Sequence, residues 1–450
     1  MMSESPTLAL AQYAASTSYD KLPRDVSERA RQVILDEMAC ACFGRRSVAG
    51  ELAARYAATF GGAPEASVLG TGIRVPAAHA ALANGMAGHG EEVDGAHVVG
   101  GHPGATIVHA ALAAAERQRT SGPEFINAVV LGYDVGTRVM QACGGIFVAK
   151  KRYHLHADFL YAVGAAVAAA RILGLDPARH SHAMALVTFQ ANGLCSLFHE
   201  RRHISKSFSN GQYAFAGVSA ALMAAAGMEG CDDVMEGRDG LLEAWGVQDG
   251  AELLLRGLGR SYAVMGANFK FLNAGYPIHS AVEAAMAIVA EHRINGEAIA
   301  SVHVGMPANA LRVVDNRAMH SICVQDMLAA ALLRGGLSLR DSPFPEILAD
   351  PAFIRMRSRI SVGVDADLER DQPDGRGSNV TIVTASDNRY SRRIDHPRGH
   401  SLRGGVTWSD LSEKWRDGLP DFDVERVVSL ASTLDELDDV SRLSRTFSHQ

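Results

Sequence analysis

Four short stretches combine histidine, lysine, aspartate and glycine in a way that suits proton transfer beside a carboxylate. The densest is Asn84-Gly-Met-Ala-Gly-His-Gly-Glu-Glu-Val-Asp-Gly-Ala-His, followed closely by Gly100-Gly-His-Pro-Gly-Ala. Its glycines let backbone approach a ligand or take positive φ. His102, just before Pro103, falls at the expected start of a helix, where anions are favoured. Asp94, His97 and His102 are therefore candidates for meeting a carboxylate substrate, against the alternative of a helix-connecting loop with solvated histidines. A zinc reading of these histidines is weaker, because their spacing follows no ligand pattern.

The second stretch is Tyr153-His-Leu-His-Ala-Asp, ahead of an Ala-rich helix expected from near Phe159. His154 and His156 diverge on a helix and share a face on a strand, and either one alone suits capping or packing. The third, His199-Glu-Arg-Arg-His-Ile-Ser-Lys-Ser-Phe-Ser-Asn-Gly-Gln, is cationic and precedes a helix expected from near Gly211. Arg201, Arg202 and Lys206 suit a polycarboxylate, although an arginine run also reads as a solvated face. A partly desolvated lysine at a helix entry can serve as a base or proton donor, so Lys206 stands apart. The fourth, Phe269-Lys-Phe-Leu-Asn-Ala-Gly-Tyr-Pro-Ile-His-Ser-Ala-Val, places Lys270 and His279 at the junction of two differently textured regions, where ligand clefts often form.

The elements that must carry these residues are mostly helical. Apolar residues at helical spacing run from Leu22 to Gly44, and further helices are expected over 49–60, 76–90, 103–118, 123–141, 158–173, 178–195, 211–227 and 240–245. After a helix from Ser280 to His292, alternating runs at 300–306, 360–364 and 379–384 read as strands, with a polar turn containing Pro373-Asp-Gly-Arg-Gly and helices at 324–334 and 408–418. The expected fold is mainly α. A large all-helical domain over 1–268 is followed by a smaller α+β domain over 269–400 and a C-terminal segment, 401–450.

Composition narrows the function. The 450 residues are 47% apolar with only 6% aromatic, which suits helices packed through small side chains. A net charge of −7 without a basic stripe argues against nucleic acid. The six cysteines follow no zinc or disulfide pattern. With no uninterrupted apolar run long enough for a membrane span and no basic leader, a cytoplasmic protein is expected.

Taken in order, these motifs resemble the MmgE/PrpD family, which includes 2-methylcitrate dehydratase, cis-aconitate decarboxylase and iminodisuccinate epimerase. The resemblance runs from the helix Leu22 to Gly44 through His89, Asp94, His97 and His102-Pro-Gly. It continues with His154 ahead of Gly164-Ala-Ala-Val, Lys206 five residues before Gly211, Lys270 with His279, Leu348-Ala-Asp-Pro and His396-Pro-Arg-Gly-His. It implies a family-specific helical domain to which the C-terminal segment returns, a smaller α+β domain, an interdomain active site and a homodimer. By the resemblance Asp94, His102, His154, Lys206 and Lys270 are the expected active-site residues, with no metal or organic cofactor; the first four are expected to be catalytic and Lys270 to bind substrate, together with His97, Arg202 and His279 from the residue reading above. Ser209 stands where many members carry histidine, Gly275 where some carry histidine and Val324 where a tyrosine is often found, which points to a specialised member.

The expected activity is a lyase reaction, dehydration or decarboxylation, on a small di- or tricarboxylate such as 2-methylcitrate or cis-aconitate. In this scheme Lys206 and His102 move the proton, His154 bonds the leaving group, Lys270 and Arg202 neutralise carboxylates, and Asp94 orients His102 or His97. The alternatives are an epimerase of an iminodisuccinate-like dicarboxylate and a catalytically silent binding relative.

Overall fold

The computed structural model describes residues 5–448 except 191, 201, 248, 342–344 and 371–375. Arg201 and the Pro373–Gly375 part of the expected turn lie outside the described residues. The chain divides into two compact units, one comprising 1–199, 203–267 and 408–450, the other 200–202 and 268–407. The fold is mainly α, with a helical first unit and an α+β second unit.

In the first unit, small residues decide how closely helices approach. Helix Tyr161–Ile172 buries every residue but Arg171, so it needs no apolar stripe. A Cβ on its Gly164 would lie 2.3 Å from the Gly132 carbonyl oxygen in helix Gly122–Ala142. Likewise, a Cβ on Gly211 in helix Ser205–Ala225 would lie 2.4 Å from the Leu82 oxygen of helix Ala77–Gly88, and one on Gly85 would lie 2.8 Å from the Gly211 Cα. This contact sets Lys206, in the first turn of its helix, beside the residues that follow Gly88. Gly211→Val is expected to force these backbones apart at a cost of about 1–3 kcal/mol. A urea midpoint equal to that of the wild type would contradict this.

Residues 408–448 are fastened to the same unit. Lys414 and Trp415 of helix Trp408–Gly418 both donate to Asp36 Oδ1, at 2.7 and 2.9 Å. Main-chain bonds Gly122 N to Leu437 O (2.8 Å), Val440 N to Thr120 O (3.0 Å) and Gly70 N to Phe447 O (2.9 Å) continue the attachment.

The second unit is built on a four-stranded sheet in the order Ile360–Val364, Ile299–Met306, Ser378–Thr384, Arg389–Ile394, with the first pair parallel and the others antiparallel. Val302, Val304, Val380 and Ile382 share a core with residues of helices Ile278–His292 and Val324–Arg334.

Several elements differ from expectation. The edge strand Arg389–Ile394 was not anticipated, because only Tyr390 and Ile394 of Arg-Tyr-Ser-Arg-Arg-Ile turn apolar side chains to the core, and the charged residues between them are typical of an edge. Helix Pro6–Ser16 is also additional; Ser5 caps it and Thr7 N bonds Glu236 at 3.1 Å, a contact invisible to local pattern. Helix Pro177–Thr188 stops short of residue 195. The helix expected from Gly211 begins at Ser205; the Ser209 hydroxyl donates to the Lys206 carbonyl and so satisfies a polar group that reads as loop. Among the described residues, no helix is long and apolar enough to cross a membrane.

Candidate active site

The turn from His89 to His102, between helices Ala77–Gly88 and Pro103–Gln118, carries most of the polar groups, and five side chains hold it. Ser207 Oγ donates to His89 O (2.7 Å), Lys414 Nζ to Val93 O (3.2 Å) and Tyr161 Oη to Gly100 O (2.6 Å). Glu37 accepts from Gly95 N (3.0 Å) and Asp158 from His102 N (3.1 Å). Gly101 has φ +80° and a Cβ there would lie 2.4 Å from Asp158 Oδ1, so this position needs glycine both for its backbone and for the approach of the carboxylate.

His102 Nδ1 lies 3.0 Å from Asp94 Oδ2 and 3.0 Å from Gly95 O. Both neighbours are acceptors, so Nδ1 carries the hydrogen, and in the neutral ring Nε2 is left as a proton acceptor. His89 shares Asp94 Oδ2 through its own Nδ1 at 2.7 Å. Burial pushes the His89 imidazole well below its usual range, with Lys206 and His102 adding to the effect and Asp94 opposing it, so His89 is neutral. Behind the turn, burial and then the charges of Asp94 and Asp36 push the Glu37 carboxyl well above the ordinary carboxylate range.

On the other side of His89, Glu92 Oε1 accepts from Lys206 Nζ at 2.8 Å and from His203 Nε2 at 3.0 Å. His203 Nδ1 lies 3.0 Å from Ser207 Oγ. The His89 ring centroid is 4.4 Å from that of His102 and 4.9 Å from that of His203, so one network joins a braced imidazole to a paired ammonium.

Of the expected residues, the structure brings Asp94, His102 and Lys206 together. Asp94 braces His102 and His89 and not His97. His97 is instead a packing residue: it bonds Ala263 O through Nε2 (2.7 Å) and Val99 N through Nδ1 (3.3 Å). His154 is exposed, with φ 56°, and the buried histidine of that pair is His156, 3.6 Å from Asp158. Arg202 groups with the second unit and is exposed. Lys270 and His279 belong to that unit as well, both buried, with His279 Nε2 3.0 Å from Ala274 O. Sequence reading did not single out Glu37, Glu92, Asp158, His203 or Ser207; His89 entered only with the family resemblance, and His156 only as a histidine suited to capping or packing. The only signal for Glu92 and His203 was their place inside two already suspect stretches.

Among the described residues, two groups have ligand-type atoms within 4.8 Å of one another: His89, Asp94 and His102, and His89, Glu92 and His203. In both, the carboxylate oxygen already accepts two N–H groups. A divalent cation at the second group would sit against the Lys206 ammonium and be repelled by it. The donor set therefore fits a proton network better than a metal cradle.

The buried histidines carry a stability prediction. Burial lowers His97 to about 4, His109 to about 3 and His180 to about 4, and lowers His89, His156 and His400 as well. In the unfolded chain these groups titrate near ~6.5, so U binds more protons than N below that pH. Stability is then complete above the unfolded value and declines as pH falls toward the folded values, by up to about 1.4 kcal/mol per pH unit for each histidine. Asp36, Glu37 and Asp134, raised by burial, oppose this but are fewer. Urea midpoints should be lower at pH 5.5 than at pH 7.5; equal midpoints would refute the assignment.

A helical unit that buries an Asp-braced histidine beside a carboxylate-paired lysine has the make-up of an acid–base enzyme. The chain belongs to the MmgE/PrpD family of enzymes: the MmgE/PrpD N-terminal domain model matches residues 8–253 and the C-terminal domain model residues 273–430. It is similar to the cis-aconitate decarboxylase of Aspergillus terreus, 24% identical over 468 residues that cover 97% of this chain and 94% of the relative. It is also 24% identical to the cis-aconitate decarboxylase of Homo sapiens over 473 residues, 99% and 95% of the two chains. The cis-aconitate decarboxylase-like protein oryM of Aspergillus oryzae is 29% identical over 241 residues, 51% and 49% of the two chains.

Proposed function

We propose that the protein is a cofactor-free lyase that removes carbon dioxide or water from a small di- or tricarboxylate, with cis-aconitate the first candidate. The observation that carries this reading is the pairing of opposite proton functions around His89: His102 Nε2 as acceptor and the Lys206 ammonium as donor. Loss of carbon dioxide from a β,γ-unsaturated acid such as cis-aconitate breaks one C–C bond, shifts the double bond and adds one proton to the far alkene carbon. Lys206 supplies that proton, and its charge favours the electron-rich transition state. Dehydration uses the same pair differently: His102 takes the proton next to a carboxylate and Lys206 protonates the departing hydroxyl. The names of the relatives favour decarboxylation.

His154 as the leaving-group contact, Lys270 and Arg202 as carboxylate contacts, and a homodimeric state complete the proposal. Lys270→Ala is the variant that should raise KM more than it lowers kcat. The exposed Phe189, Leu194 and Phe208 support self-association, and light scattering should give about twice the mass of one 47.8 kDa chain.

The test is proton NMR in D₂O with cis-aconitate, 2-methylcitrate and iminodisuccinate, each alone, after dialysis against a chelator. Release of carbon dioxide or water, undiminished by the chelator, is the expected result. Deuterium entering beside a carboxylate without release would make the protein an epimerase, binding without turnover would make it a silent relative, and activity restored only by added metal would refute the cofactor-free reading.

A further inference from the structure

We propose that Glu92 is the positioning residue of the proton donor, and that the tripeptide Glu92-Val93-Asp94 ties donor and acceptor together at one spacing. This rests on Lys206 being the donor.

Glu92 and Asp94 flank Val93 on one short turn. Asp94 Oδ2 takes the Nδ1 side of His102, and Glu92 Oε1 takes Lys206 Nζ. Between them, the Val93 carbonyl is pinned by Lys414 Nζ at 3.2 Å, a side chain with no exposure. Three residues of backbone therefore determine where both proton-transfer groups sit. On the outer side of Glu92, His203 Nε2 donates to the same oxygen, and Ser207, one helical turn along, meets His203 Nδ1 and the His89 carbonyl. His203 and Ser207 thus act as a strut that keeps Glu92 from following the lysine if it swings.

Among the described residues, the titratable groups near this pair include Asp94, His89 and His102 from the turn, His203 from the approach to the lysine helix, and His156, itself 3.6 Å from Asp158, from the segment before helix Tyr161–Ile172. Glu92 is 2% exposed and Lys206 9%. A buried ion pair is weak support for stability, since well-packed apolar residues often serve as well. A lysine has four rotatable side-chain bonds, however, and misplacing a reacting group by about 1 Å can cost about 10²-fold in rate. Fixing the ammonium is a sufficient reason for the carboxylate to be there.

Two measurements test this. The chain has only six lysines, Lys21, Lys150, Lys151, Lys206, Lys270 and Lys414, so an ¹⁵N-lysine sample gives few ammonium signals. The signal that disappears in Lys206→Met should shift or broaden in Glu92→Gln and be partly restored in Glu92→Asp. An unmoved signal in a folded Glu92→Gln protein overturns the proposal, whether or not any substrate is turned over. With cis-aconitate, Glu92→Gln should lower kcat about 10- to 100-fold and change KM less than about threefold, and adding it to Lys206→Met should lower kcat no further. Fully multiplicative effects, or a normal kcat in Glu92→Gln, also overturn it. Should the wild type leave cis-aconitate unchanged, that substrate assignment fails while the ammonium signal still decides the role of Glu92.

Discussion

Lys206→Ala is expected to reduce turnover by about 10²-fold or more, the usual scale for losing a general acid or base. The structure adds a second consequence. Lys206 and His203 share Glu92 Oε1, so removing the lysine leaves a carboxylate that is 2% exposed with one charged partner fewer. Breaking a buried pair typically costs about 3–5 kcal/mol, so the variant should also unfold at lower urea. Kinetics must therefore be read on protein shown by circular dichroism to be folded, and Lys206→Met, which keeps the apolar stem, serves as control. A folded Lys206→Ala protein with near-normal kcat would remove Lys206 from the mechanism.

The second large effect is expected from Lys414→Ala, far along the chain. Lys414 and Asp36 form an ion pair with side-chain exposures of 0% and 1%, and removing the cation leaves Asp36 the Trp415 indole, 2.9 Å away, and no charge to offset its own. Burial already raises Asp36 toward protonation while Lys414 and Trp415 hold it down, so the variant should shift Asp36 further toward the neutral acid. A loss of about 3–5 kcal/mol is expected from the broken pair. Because Lys414 also bonds the Val93 carbonyl between Glu92 and Asp94, kcat should fall together with stability. A destabilised protein with unchanged kcat would show that the brace serves folding alone.

How much of this was legible in the sequence varied with the range of the interaction. Helix Trp408–Gly418 buries one face and local pattern reports that face, while Arg24–Gly44, Pro103–Gln118 and Val324–Arg334, buried on most or all sides, were still legible from long runs of apolar and small helix-forming residues. His102 was legible because a histidine before proline marks a helix start. Lys206 stood out as a lysine at a helix entry within a cationic stretch. Asp94 was legible as an acid in a glycine-rich turn.

The tertiary structure alone decided which partners these residues have. Glu92 meets Lys206 across 114 residues, Asp36 meets Lys414 across 378, and nothing in either local pattern encodes the pairing. Packing settled His97 and His156 in the same way: ring nitrogens that looked alike in sequence were committed to Ala263 O in one case and set beside Asp158 in the other. Local pattern was enough to place acid–base side chains at helix ends in a mainly helical chain. Their assembly into one proton network depended on backbone approach at Gly85 and Gly211, because a buried charge takes its position from the partners that the packed helices bring to it.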